Sequence, residues 1–191
     1  MVRPATDRSR LKDLAVTYVT GDLLNDADVA AAFQGRKFTA VINAVRADSS
    51  TQHFYEQVMP GIVVHARAAG VEQIIHHGAV GAGSNVTRVN SAGWDKVPGL
   101  LERLKDHGIG EDVLVRSGVP YTIIRNARLY PDDTPSTGKA ELTEDDTVLT
   151  PMTRADLAIF TVKCLGNAAC LNRTYHVKDA SLGWPPPGAA R

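Results

Sequence analysis

Short runs of β-branched and apolar residues, each separated from the next by a stretch of helical periodicity, constrain this chain more than any other feature. Val16-Thr17-Tyr18-Val19-Thr20 stops at Gly21-Asp22 and predicts a strand feeding a loop. From Asn25, an N-cap with an acidic residue at Asp28 leads into Val29 and Phe33 at i,i+4 spacing and then Gly35, which predicts a short helix. Phe38 to Asn43 is a nearly continuous apolar run of strand length, the pattern of a strand covered on both faces, and is expected near the centre of a parallel sheet. Pro60 suits the first turn of a second helix, whose stripe of Ile62, Val63, Ala66 and Ala69 ends at Gly70; Gln73 to His77 reads as the next strand.

The second half repeats the alternation. A turn rich in Gly and Ala (78–83) precedes a helical stretch from about Val97 to Ser117, in which Gly108 and Gly110 predict a kink or break. Tyr121 to Arg125 is a strand, residues 139–149 alternate weakly as a small hairpin would, and Thr153 caps a helix with Leu157, Phe160, Cys164 and Leu165 on one face. Arg173 to Val177 is a last strand. Strands and helices in this order predict an α/β, doubly wound parallel sheet with helices on both faces. The expected organisation is one domain over residues 1–180 and a disordered tail over 181–191, where Trp184-Pro185-Pro186-Pro187 stands.

A hydrophobic content of 43% in 191 residues supplies one sizeable core. Lys plus Arg (21) cancels Asp plus Glu (21), so no field of one sign favours nucleic acid or an anionic membrane, and a small-molecule partner is expected. No run approaches the roughly 18 apolar residues of a spanning helix and no apolar signal region opens the chain, so a cytoplasmic location is expected. Cys164 and Cys170 have neither CxxC nor zinc spacing and are expected as reduced thiols. His76 and His77 are adjacent on a strand and point to opposite faces, which argues against a metal site there.

Five segments, "VTGDLLNDADVAAAF", "FTAVINAV", "ARAAGVEQIIHHGAVGAG", "EDVLVRSGVPYTIIRNARL" and "MTRADLAIFTVKCL", resemble in order and spacing the NmrA-like NAD(P)-binding atypical short-chain dehydrogenases/reductases, including their biliverdin-IXβ (flavin) reductase-like branch. The resemblance runs over about residues 1 to 178. It implies a Rossmann-like fold, NADP or NAD as cofactor, and hydride transfer to a small acceptor such as a flavin or quinone. Such chains open with a strand, a GxxGxxG turn, a helix and a second strand, and Met1-Val2-Arg3-Pro4 is similar to the end of that second strand. The resemblance therefore implies a chain lacking the first strand, the Gly-rich turn and the first helix, and with them the backbone cradle for the pyrophosphate. A shortened gene model or a fragment is the expected explanation. Either the Val16 and Phe38 strands then pair directly, or open strand edges leave the chain unstable and prone to aggregate.

By the same resemblance Arg3 faces a 2′-phosphate, favouring NADP, and Asp22 and Leu23 contact the adenine. Asn43, Ala44 and Val45 lie beside the ribose, Gly78 and Ala79 are cofactor-binding, and Asn126 donates to the carboxamide. The plainer alternatives are a turn cap for Asp22, a simple strand end for Asn43 to Val45, and a turn role for Asn126. Where relatives carry a Ser-Tyr-Lys set, this chain has Ala79, Arg103 and His107. His107 is the candidate catalytic residue, lining the cofactor or supplying a proton; the alternative is a solvated helix histidine beside Asp106. Residues 130–150 are expected to form part of a lid over the substrate cleft. Three functional classes stay open: a reductase, a non-catalytic dinucleotide-binding redox regulator with a protein partner, and an inactive fragment.

Overall fold

In the computed structural model, which describes residues 1–47, 51–91 and 93–185, five strands form one sheet in the order β1-β2-β3-β5-β4. The elements in chain order are α1 (Asp26–Phe33), β1 (Ala40–Asn43), α2 (Phe54–Ala68), β2 (Gln73–Ala79), α3 (Val86–Ser91), α4 (Leu100–Arg116), β3 (Tyr121–Asn126), β4 (Glu141–Thr143), α5 (Arg154–Cys164) and β5 (Arg173–Lys178). β1, β2, β3 and β5 run parallel, and β4 closes the far edge antiparallel to β5. This is the doubly wound α/β arrangement that the alternation predicts.

Successive residues of the central strands feed opposite cores, as the twofold period of a strand requires. Ile74 and Ile123 pack with α1, α2 and α4 on one face, among Val29, Met59, Ile62 and Leu114. Ile75 and Ile124 pack with α5 on the other, among Leu157, Phe160 and Cys164. A third cluster, Val80, Val89 and Leu104 with Trp94 and Ala127 at its border, caps the carboxyl ends of β2 and β3. The same alternation sends His76 against Tyr55 of α2 while His77 bonds Thr161 Oγ1 of α5 at 2.8 Å.

Several expectations are corrected. Val16 to Thr20 is not a strand: it is reduced to one parallel bridge between Val2 and Thr20, closed by Val2 N to Val19 O (2.8 Å) and Gly21 N to Val2 O (3.0 Å). A strand needs a neighbour along its length, and among the described residues only Val2 exchanges backbone hydrogen bonds with it as a strand would. Val2 does stand in parallel register next to this segment, as the end of a neighbouring strand would. Ala40–Asn43 is a strand, but it occupies the edge of the sheet and not its centre, with Ile42 47% exposed. The Val19 segment and β1 do not pair; a cleft of about 340 Å³ runs between them, lined by Val19, Leu23, Phe33, Val41 and Val45.

α2 begins at Phe54, so Pro60 lies inside it and not in its first turn. The reason is remote in sequence: the Asp106 carboxylate of α4 accepts from Tyr55 N (3.0 Å) and Glu56 N (2.9 Å), capping the first turn from another helix. α4 passes unbroken through Gly108 and Gly110. Both glycines serve close packing. A β-carbon at Gly108 would sit 2.5 Å from Gly83 N, and one at Gly110 would sit 2.8 Å from Tyr55 Cβ. Residues 139–149 form no hairpin of their own but the single strand β4, paired with β5. Cys164 and Cys170 are joined as a disulfide, not free thiols. Asn25 caps α1 through Ala27 N and Thr153 caps α5 through Asp156 N, both as predicted.

Candidate cofactor and acceptor site

In an open parallel sheet the crevice for a ligand lies beyond the carboxyl ends of the strands. Here that end gathers Asn43 to Val45 after β1, Gly78 and Ala79 of β2, and Arg125 and Asn126 of β3. Three strands present Gly78, Arg125 and His176 side by side in register. The Arg125 guanidinium forms a fork with Glu111 of α4, at 2.7 Å from Nη2 and 3.1 Å from Nε, and the pair is almost fully enclosed. Gly78 is required beneath it, because a β-carbon there would collide with Glu111 Oε1. Burial pushes the Glu111 carboxyl up, against the pull of the Arg125 guanidinium. Glu111, Arg125 and His176 were not among the residues that the sequence singles out. Their signal, an acid one helix face away from a strand-end arginine, is too common to be read without the fold.

The residues implied by the resemblance fall into two groups. Leu23, Asn43 and Val45 line the cleft beside β1. Asn43 is buried, its Nδ2 donating to Met59 Sδ at 3.1 Å, and Ala44 is exposed beside it. Asp22 is engaged as a turn cap: Oδ1 accepts from Leu24 N at 3.0 Å while its own N–H donates to Asp28 Oδ2. Arg3 is exposed next to the Val2 bridge. Gly78, Ala79 and Asn126 sit together two strands away, where Asn126 Nδ2 donates to Gly78 O at 2.7 Å and ties the two strand ends. Arg46, exposed just past β1, is a cation that the sequence reading passed over.

His107 is not a solvated helix residue. Its ring stacks on Tyr55 at 3.9 Å and stands 6.5 Å from His76, and its Nδ1 is buried without a hydrogen-bond partner. Burial pulls His107 down to about 4, and burial together with the neighbouring His107 pulls His76 to about 3. Both rings are therefore neutral at pH 7. Tyr55 donates its hydroxyl to Val45 O at 2.9 Å, and burial raises it to about 12. Among the described residues no group of three or more His, Cys, Asp or Glu could hold a metal ion, and no helix is long and apolar enough to cross a membrane.

The segment after β3 forms the opposite wall. Asp156 accepts from Ser136 Oγ, Thr153 Oγ1 and Thr137 N, and Asp179 accepts from Thr137 Oγ1 at 2.6 Å, so residues 136–137 are pinned between two buried carboxylates. Burial alone would raise Asp156, but the hydrogen bonds from Ser136, Thr153 and Thr137 outweigh it and hold the carboxyl low. Of the tail expected to lack structure, Gly183 and Trp184 are seated on this wall, with Tyr130 donating its hydroxyl to Gly183 O and ring centroids of Tyr130 and Trp184 6.2 Å apart. Residues 186–191 lie outside the described residues.

A family model described as NAD(P)H-binding matches residues 1–168. The chain belongs to that family. No curated protein matches it by sequence. Among solved structures it is similar to ChuY, an anaerobillin reductase from Escherichia coli O157:H7, at 22% identity and a TM-score of 0.72, covering 91% of this chain and 80% of that one. It is also similar to a short-chain dehydrogenase/reductase from Veillonella parvula in complex with NADP, at 16% identity and TM-score 0.69 over 94% and 79% of the two chains. A putative NAD-dependent epimerase/dehydratase from Bacillus halodurans matches at 20% identity and TM-score 0.68 over 84% and 72%. These likenesses establish a Rossmann-like fold.

A nicotinamide dinucleotide fits this surface unevenly. Small residues at the strand ends, Ala44 and Ala79, leave room for its nucleoside parts. Among the described residues, the N-terminus of α2, which follows β1, is filled by the Asp106 carboxylate and leaves no room there for a diphosphate.

Proposed function

We propose that the chain is an NAD(P)H-dependent reductase that passes hydride to a small conjugated acceptor such as a flavin or quinone. The observation that supports this most directly is that the three positions where relatives carry a Ser-Tyr-Lys set hold Ala79, Arg103 and His107. Ala79 stands where a hydroxyl would hold a substrate carbonyl, Arg103 is exposed, and His107 is neutral and packed on Tyr55. Reduction of a simple ketone needs a proton donor, whereas a flavin or quinone delocalises the incoming charge and takes its proton from water. NADP is the favoured cofactor through Arg3, the reading is that of a cytoplasmic enzyme, and its partner is the small acceptor.

The test measures NADPH consumption by the purified chain with menadione, flavin mononucleotide and cyclohexanone. Turnover with the first two and none with the ketone is expected. Saturable NADPH binding without turnover on any acceptor would replace this reading with a dinucleotide-responsive regulator that signals to a protein partner. Turnover on the ketone at a comparable rate would overturn the argument from the missing Ser-Tyr-Lys set.

A further inference from the structure

Arg128 stands two residues past β3, on backbone fixed from both sides. Met152 N donates to Arg128 O at 3.0 Å, Tyr130 N donates to Met152 O at 2.9 Å, and Leu129 bridges Met152 in parallel. Its guanidinium lies over the ring of Trp94 at 5.0 Å and over the ring of Trp184 at 5.1 Å. Trp94 borders the cap above β2 and β3, whereas Trp184 comes from the C-terminal segment, so Arg128 joins the cap to that segment. Among the described residues Arg128 has no ion pair and no side-chain hydrogen bond. Arg125, at the end of β3, is by contrast paired with the Glu111 carboxylate.

Cation–π attraction to two indoles holds the guanidinium in place. Its N–H donors lie in its own plane and have no hydrogen-bond partner among the described residues. A planar fork of this kind is matched by a carboxylate in the same plane, through two parallel charge-assisted hydrogen bonds. The neighbouring aromatic surface is suited to a flat ring: Trp184 is 46% exposed and meets Tyr130 edge-on. We infer that the Trp94-Arg128-Trp184 stack is an acceptor subsite that takes a carboxylate carried on a flat, conjugated ring system. This rests on the reading of the crevice as an acceptor site.

The chain has two tryptophans and both are in the stack, so indole fluorescence reports on this place alone. The 191-residue chain is titrated, without NADPH, with benzoate, with its uncharged isostere benzamide and with inorganic phosphate. Benzoate is expected to give a saturable change at a concentration at least about tenfold below that of benzamide or phosphate. Arg128→Lys keeps the charge, loses the fork, and is expected to raise the benzoate midpoint by about tenfold with an unchanged melting temperature. Equal midpoints for benzoate and benzamide, no response to either, or an Arg128→Lys midpoint equal to wild type would overturn the subsite. A phosphate midpoint equal to that of benzoate would overturn the carboxylate assignment in favour of a general oxyanion contact, such as a cofactor phosphate. Because no hydride moves in this experiment, failure of the reductase assay leaves its result intact.

Discussion

At the scale of single residues, two kinds of site carry consequences. Gly108 is in mid-helix, where alanine is favoured by about 1 kcal/mol over glycine. A β-carbon there meets backbone, Gly83 N at 2.5 Å and Gly83 Cα at 2.9 Å, and backbone cannot swing away as a side-chain tip can. Overpacking costs of about 1 to 3 kcal/mol then exceed the propensity gain. Gly108→Ala is expected to lose up to about 2 kcal/mol in urea unfolding; a stabilised variant would show that the helix stands off from the turn. His76 and His107 set the response to acid. Their folded values of about 3 and about 4 lie below the ordinary histidine value of 6.5, so the unfolded chain binds protons that the fold refuses. The stability they permit is complete above pH 6.5 and is lost as pH falls from there toward 4, by up to about 1.4 kcal/mol per histidine per unit. His107→Phe keeps a ring against Tyr55 and removes one titration, so the acid limb of its melting-temperature profile is expected to move to lower pH.

At the scale of elements, the disulfide ties the last turn of α5 to the loop before β5, with Cα atoms 5.5 Å apart. The same corner is tied by polar bonds: Gln73 donates to Cys164 O, Gly166 N donates to Gln73, and Thr122 donates to Cys170 O. Closing so short a loop contributes about 2 kcal/mol. A thiol titration of the denatured, unreduced chain is expected to find no free thiol, and Cys164→Ser is expected to lower the unfolding free energy by about 2 kcal/mol. One free thiol per cysteine in that titration would refute the bridge. Elements whose signals are local were legible in the sequence: the caps at Asn25 and Thr153, the apolar runs of β2 and β3, the opposed faces of His76 and His77. What was missed depends on partners far along the chain. The cap on α2 comes from Asp106, the continuity of α4 from the Gly83 turn and Tyr55 of α2 packed against its glycines, and the loss of the Val16 strand from the shortage of a neighbour. The site followed the same rule. Strand-end residues could be placed from motif order, but the Glu111–Arg125 fork and the Arg128 stack join residues brought together only by the fold.

At the scale of the molecule, the two sheet edges differ. At the far edge β4 is only three residues long and is tied to β5 by charges, Lys178 with Glu141 and Arg173 with Glu144. β1 has β2 on one side and the cleft on the other, so its outer backbone N–H and C=O groups face no strand among the described residues. Natural edges are guarded by lysine, proline or bulges, and β1 (Ala40-Val41-Ile42-Asn43) carries none of these. An apolar, unguarded parallel edge is a template for a second chain, and association through it is second order in protein. The expected result is light scattering by the wild-type chain that rises with concentration, while Ile42→Lys, at a position already 47% exposed, stays monomeric over the same range. The melt of the variant is the control, since a lysine there reaches solvent without displacing core atoms. Equal scattering by the two chains would place the association elsewhere and leave the β1 edge protected by the Val2 to Leu23 segment across the cleft.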